Sequence, residues 1–167
     1  MTKEERVLWA FRDLFNKMVW LNQSKMEARL KGHKPSEVHC IEYIRNHRDP
    51  NVTQLAEGLY MTRGAISKMT KKLIQKNLIE SYQKSGNKKE IYFRLTERGE
   101  EVNAVHEALH KQFRERDKAV FEHVTEEQYD SMLAFIEKYR AHLDVEIKKM
   151  ALETKEEHQT TGRSSRK

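Results

Sequence analysis

The chain is poor in residues that interrupt helices and in residues that cross-link them. Its 167 residues include two prolines, six glycines and one cysteine, Cys40. Scarce proline and glycine favour long helices, because neither is well tolerated inside one. A lone cysteine excludes an intrachain disulfide and suits a reducing compartment, the cytoplasm. No apolar run approaches the ~18 residues needed to span a bilayer, so no membrane partner is expected. The charged start Met1-Thr2-Lys3-Glu4-Glu5-Arg6 leads into an amphipathic pattern and does not read as a signal peptide. The length suits one domain.

Charge is what the chain has in abundance: 35% of residues, with a net of +6. Its placement is uneven. From Tyr60 to Arg98, ten basic residues are opposed only by Glu80, Glu90 and Glu97, a local net of +7 that leaves −1 for the rest. Such an excess is the footprint of a polyanion-binding surface, although charge alone fits a solvated face equally well.

The order of elements decides between these readings. Val7, Phe11, Leu14, Met18 and Leu21 recur at helical spacing, predicting a long helix from about Glu4 to Leu30. Gly32 and Pro35 separate it from a second helix, about Ser36 to Arg45. Thr53 can cap a short helix that buries Leu55, Ala56 and Leu59. After the tight connection Tyr60-Met61, Thr62 caps another helix, with Ala65, Ile66, Met69 and Leu73 on its buried side. Ile79 and Tyr82, then an alternating stretch from Glu90 to Thr96, flank Ser85-Gly86-Asn87-Lys88-Lys89 and predict a β-hairpin with a basic tip. Thr96 caps a long helix to about Phe121, and Thr125-Glu126-Glu127-Gln128 reads as a capping box for the last one. Residues 151–167 carry no periodicity and are expected to be a disordered tail.

The fold class is therefore mainly α with a small β-hairpin, a winged helix-turn-helix. A helix fits the major groove, and residues near its N-terminus reach base edges. Thr62, Arg63, Gly64 and Ser67 hold those positions, with Arg63 able to grip a guanine with two hydrogen bonds. Gly64 lets backbone approach backbone. Lys68, Lys71 and Lys72 lie further along and suit phosphates, which position without specifying. Lys88 and Lys89 at the hairpin tip suit an adjacent minor groove. Thr53 and Gln54, opening the preceding helix, complete the expected DNA-binding set.

Four segments then carry a family resemblance: Val52-Thr53-Gln54-Leu55-Ala56, Met61 to Lys68, Leu73 to Ile79, and Leu95-Thr96-Glu97-Arg98-Gly99. They resemble the MarR family of winged-helix regulators, over about Val7 to Met150. The resemblance implies an obligate homodimer with the terminal helices of both chains intertwined. Residues 1–30 and 100–150 would then be dimerisation helices around a winged helix-turn-helix at 36–98. It further implies a double-stranded, pseudo-palindromic operator, usually repression, and release or activation by a small molecule or metal. Many members carry Asp then Arg at the wing tip. Asn87, Lys88 and Lys89 stand there instead, and lysine is a flexible point charge. The wing is thus expected to add affinity with less geometric definition.

His106-Glu107-Ala108-Leu109-His110 matches the H-E-x-x-H pattern of zinc peptidases. A peptidase also needs a third ligand and a cleft, and a DNA-binding module already occupies most of the chain. Zinc without catalysis is the stronger alternative. In a zinc-responsive subset of the family, a second-helix histidine and an H-x-x-x-H pair share a site with a carboxylate. By position His39, His106 and His110 match, with Glu37 or Glu27 as the carboxylate. The other reading makes these histidines ordinary polar residues. Cys40 stands away from the first-helix position of peroxide-sensing relatives and reads as buried and structural. Trp9, Phe11, Phe15 and Trp20 read as core, with an effector pocket as the alternative. A non-specific DNA-compacting protein is the remaining rival.

Overall fold

Thr2 opens the first helix: its hydroxyl accepts from Glu5 N–H, and the Glu5 carboxylate accepts from Thr2 N–H in return. The computed structural model describes residues 1–164, with side chains described through residue 150. The elements are α1 (Lys3–Arg29), α2 (Pro35–Asn46), α3 (Val52–Gly58), α4 (Arg63–Gln75), β1 (Ile79–Lys84), β2 (Asn87–Leu95), α5 (Glu97–Asp117) and α6 (Glu126–Ser164), with a 3₁₀ turn at Lys118–Phe121 before α6. The predominantly helical fold with one hairpin agrees with expectation. Where a disordered tail is expected over 151–167, α6 continues through Ser164, and residues 165–167 lie outside the described residues. Among the described residues, no helix is long and apolar enough to cross a membrane.

Two compact units divide the chain after Arg116. In the first, α2, α3, α4 and the hairpin enclose a core of Cys40, Ile41, Ile44, Leu55, Ile66, Leu73, Leu78, Ile79 and Phe93. Each fully buried Leu or Ile stabilises the fold by about 1.5–3 kcal/mol. A smaller cluster of Leu30, Val38, Leu109 and Phe113 ties the end of α1 to α2 and α5.

The helix-turn-helix has an identifiable local cause. α3 ends with Tyr60 at φ +54, and Met61 N–H bonds back to Ala56 O at 3.0 Å. α4 ends the same way: Asn77 has φ +56, and Leu78 N–H reaches Leu73 O at 2.9 Å. Both are Schellman closures, which stop a helix within two residues and turn the chain sharply. Thr62 then starts α4 at once, its hydroxyl accepting from Ala65 N–H. Gly99 lies so close to Leu78 O that an added Cβ would stand 2.0 Å from it, which seats α5 against the base of the hairpin.

Several expectations need correction. The cap of α3 is Asn51, whose side chain accepts from Gln54 N–H at 2.9 Å while Gln54 Oε1 accepts from Asn51 N–H at 3.1 Å. Thr53 lies inside the helix; Pro50 makes the preceding residue a poor helix former, so the helix opens immediately after it. α5 stops at Asp117 and yields to the 3₁₀ turn. The hairpin loop is only Ser85-Gly86, with Gly86 at φ +89, so Lys88 and Lys89 belong to β2. The ladder is regular from Ile79↔Leu95 to Tyr82↔Tyr92 and irregular beyond, up to Lys84↔Asn87. α6 opens with the expected box, Thr125 N–H to Gln128 Oε1 at 2.9 Å and Gln128 N–H to Thr125 Oγ1 at 3.3 Å.

Candidate nucleic-acid interface

α4 has two unlike sides. Ile66, Met69, Thr70 and Leu73 are buried, at the three- and four-residue steps that stack on one helical face. Arg63, Gly64, Lys68 and Lys71 are exposed. The exposed N-terminus offers unbonded backbone N–H groups and the positive end of the helix dipole, a surface suited to anions. Gly64 has no structural cause, since a Cβ there would meet no atom within 4 Å. A glycine inside a helix costs about 1 kcal/mol relative to alanine. The space beside it is open to a partner.

The expected DNA-binding residues divide into free and committed groups. Among the described residues, Arg63, Lys68, Lys71, Lys88 and Lys89 are exposed and have no carboxylate within ion-pair distance, and Thr53 and Thr62 are also exposed. Lys72 is exposed but paired: its Nζ lies 2.6 Å from Glu37 Oε1, on a carboxylate that is 3% exposed and whose single charge it shares with Lys76. Gln54 spends its carbonyl oxygen on the α3 cap. Elsewhere in the basic segment, Lys76 pairs with Glu37 at 2.8 Å, Lys84 with Asp49 at 2.6 Å and Arg94 with Glu80 at 2.5 Å.

The wing is more defined than its lysines suggested. Asp49, in the α2–α3 turn at φ +51, accepts a hydrogen bond from the Tyr82 hydroxyl and pairs with Lys84. These bonds hold its carboxyl below the usual range, that from Lys84 most strongly. Lys84 Nζ also lies 4.5 Å from the centre of the Tyr92 ring. Phe93 N–H donates to Pro50 O at 3.0 Å, and Asn51 Nδ2 donates to Glu90 Oε2 at 3.1 Å. Gln83 Nε2 bonds Lys88 O at 2.8 Å, and Lys89 N–H donates to Asn87 Oδ1 at 3.2 Å. Sequence reasoning passed over Asp49, Asn51 and Tyr82; a turn Asp next to Pro was the available signal.

The histidines converge, with a different carboxylate. Glu42, His106 and His110 each place one ligand atom within 4.8 Å of the others. His106 Nε2 and His110 Nε2 stand 2.9 Å apart, and Glu42 Oε1 lies 3.9 Å from His106 Nδ1. His106 is 1% exposed with an unbonded buried Nδ1, and burial lowers its pKa, which favours the neutral form that binds metals. The exposed His39 approaches as a ring 5.9 Å from that of His106, outside the cluster. Glu37 does not belong there, because five residues separate it from Glu42, roughly 140° around the helix. Its oxygens are held by Lys72 and Lys76. Glu27 accepts instead from Gln23 Nε2 at 2.7 Å. Cys40 is fully buried, and burial pushes its thiol up to about 12, so it is inert packing. Trp9 lines an open concavity with Met1, Lys3, Arg6, Val7 and Ala10; Phe11, Phe15 and Trp20 do not.

Comparison with known proteins fits this geometry. The MarR family model matches residues 34–91, from the start of α2 into β2. The HTH-type transcriptional regulator PchR of Bacillus subtilis (strain 168) is 26% identical over 148 residues, covering 80% of this chain and 88% of its own. Among solved structures, Streptococcus pneumoniae FabT in complex with DNA superposes with a TM-score of 0.73 at 20% identity, over 85% of this chain and 98% of that one. Staphylococcus aureus MarR in complex with salicylate and kanamycin gives 0.67 at 14% identity, over 84% and 91%. These are regulators and not enzymes, so the H-E-x-x-H match marks no peptidase. The helix-turn-helix and its wing thus match the MarR family model over α2 to β2, and the chain as a whole has the winged-helix fold of these regulators.

Proposed function

We propose that the protein is a homodimeric, cytoplasmic repressor that reads a pseudo-palindromic operator, one α4 entering each major groove. The observation that carries this reading is the exposed N-terminal side of α4, where Arg63 flanks a Gly64 that the fold does not require. Arg63, Thr62 and Ser67 read base edges. Lys68 and Lys71 hold phosphates, and Lys88 and Lys89 carry the wing to the neighbouring groove. The dimer is supported by apolar side chains left exposed on α1, among them Trp9, Leu14, Phe15 and Trp20, and on α6, among them Leu133 and Val145. Residues 1–30 and 100–150 supply its interface. The relative crystallised with salicylate supports a small-molecule effector.

The test is selection of duplexes from a random pool, followed by affinity measurements at fixed salt. Selected DNA should bind at least ~10³-fold more tightly than random DNA, and Arg63→Ala should erode that ratio. Affinities within about tenfold of each other would instead identify a DNA-compacting protein.

The Glu42–His106–His110 cluster favours one refinement, a zinc effector. Two imidazoles and a carboxylate are a common zinc donor set lacking only a fourth ligand. Zinc would then bind α2 to α5 and shift operator affinity, with the reciprocal effect of operator on zinc affinity. Zinc titration of operator binding, repeated with Glu42→Ala and His110→Ala, decides it. An unchanged operator affinity with saturating zinc would leave the histidines as packing.

A further inference from the structure

The basic segment contains a carboxylate partner from outside itself, and that partner is buried. Glu37, in the first turn of α2, is 2% exposed. Its Oε1 lies 2.6 Å from Lys72 Nζ and its Oε2 lies 2.8 Å from Lys76 Nζ. Oε2 also accepts from Lys34 N–H at 3.2 Å. Lys76 Nζ donates onward to Gly32 O at 2.9 Å. Lys72 and Lys76 are four residues apart, so they share one face of α4, about 6 Å apart along its axis.

We infer that Glu37 is a positioning residue for DNA recognition: it grips α4 through Lys72 and Lys76 and sets the angle and depth at which Arg63 meets the groove. Apolar packing of Ile66 and Leu73 is non-directional and resists rolling or sliding of α4 only weakly. Two ion pairs on one buried carboxylate hold α4 at two points a turn apart, and the one from Lys76 has hydrogen-bond geometry as well. Burial opposes ionisation of Glu37, but hydrogen bonds from Lys72, Lys76 and Lys34 N–H outweigh it and bring its pKa to about 2. The grip therefore stays charged at any physiological pH. Through Lys34 and Gly32 the same carboxylate ties the α1–α2 loop to the recognition helix. Lys72 and Lys76 are consequently struts between α4 and α2 and not phosphate contacts.

This inference rests on the DNA-binding reading, and one salt series separates the two. The full chain is titrated with its selected duplex and with a random duplex of equal length, as wild type, Lys71→Gln, Lys72→Gln and Glu37→Gln. A lost phosphate contact lowers the slope of log affinity against log salt by about 0.9. Lys71→Gln should show that loss for each chain engaged, whereas Lys72→Gln should leave the slope of wild type. Glu37→Gln removes a negative charge and leaves the net one unit more positive, so a purely electrostatic account makes it tighter on every sequence. Positioning requires the opposite sign on the selected duplex: at least tenfold weaker binding there, with random DNA bound as well as or better than before. Melting curves establish which variants are folded at the assay temperature, and Lys72→Gln carries the test if Glu37→Gln is not. The inference is overturned if Lys72→Gln flattens the slope as Lys71→Gln does, or if folded Glu37→Gln keeps the wild-type ratio. A wild type that fails to separate the two duplexes overturns the operator reading instead. The slope comparison on random DNA then still decides the role of Lys72.

Discussion

α1 and the α2–β2 lobe carry the same kind of apolar periodicity and meet opposite fates. In the lobe, Ile41, Leu55, Ile66 and Leu73 are completely buried. In α1 no residue is buried, and Phe15 and Trp20 remain 65% and 77% exposed. Periodicity identifies a face, not what covers it. A monomer has no reason to display so many large apolar side chains on one helix, and such patches mark association surfaces. The lobe is where apolar surface is covered within one chain; α1 is where it is left uncovered.

The sharpest way to break that contrast is to damage each region separately. Leu73→Ala opens a cavity in the lobe and should cost about 2–5 kcal/mol, lowering the melting temperature by roughly 5–15 °C. Phe15→Ser with Trp20→Ser removes exposed surface and should leave the lobe's helical content intact. Sedimentation should then show the double variant moving from dimer toward monomer at micromolar concentration. A wild type that sediments as a monomer would end the interpretation of α1.

Acid should separate the lobe from α1 next. Glu37 has a pKa of about 2 in the folded protein against 4.5 when free. Its ionised form therefore stabilises the lobe fully above pH 4.5, by up to about 3 kcal/mol. That contribution fades as pH falls through the window from 4.5 to about 2. Urea midpoints measured across this window should converge for wild type and Glu37→Gln as the acid limit is reached. A gap between them that stays constant with pH would show that Glu37 acts through packing and not through charge.

A smaller effect has opposite signs in folding and in binding. Gly64→Ala replaces a helical glycine whose Cβ position is open, so it should stabilise α4 by up to about 1 kcal/mol. The same methyl would occupy the space through which α4 approaches DNA. Thermal melting should rise while operator affinity falls, about tenfold or more if backbone contact is lost. A rise in both would make Gly64 an ordinary surface position.

Much of this was legible in the chain. Caps at Thr62 and Thr125, the spacing of Ile66, Met69 and Leu73, and the shift to alternation near Ile91 are local signals, and locally determined elements formed where they pointed. The errors came where two residues compete or where partners are distant in sequence. Asn51 and Thr53 can both cap, and only the Gln54 return bond selects Asn51. Lys72 looks like its neighbour Lys71 until Glu37, 35 positions earlier, is brought against it. Glu37 and Glu42 are both carboxylates on α2, and helix phase sends one to the lysines and the other to the histidines. Charge counting cannot distinguish a strut from a contact.

The outer part of the wing offers the mildest perturbation, because it lies beyond Ile79 and Phe93, the core residues that anchor the hairpin. Asp49 links it to the α2–α3 turn through Tyr82 and Lys84, while Phe93 N–H to Pro50 O provides a backbone tie that no side-chain change removes. Asp49→Asn keeps an acceptor for Tyr82 but leaves Lys84 without its counter-charge. The melting temperature should stay within a degree or so, since exposed ion pairs contribute little. Amide hydrogen exchange at Lys88 and Lys89 should nevertheless quicken a few-fold, as the strand loses its electrostatic tether and opens locally. Operator affinity should then fall less than in Gly64→Ala. Unchanged exchange would mean that the ladder alone positions the wing, and that Asp49 merely neutralises a lysine which would otherwise have been one more phosphate contact.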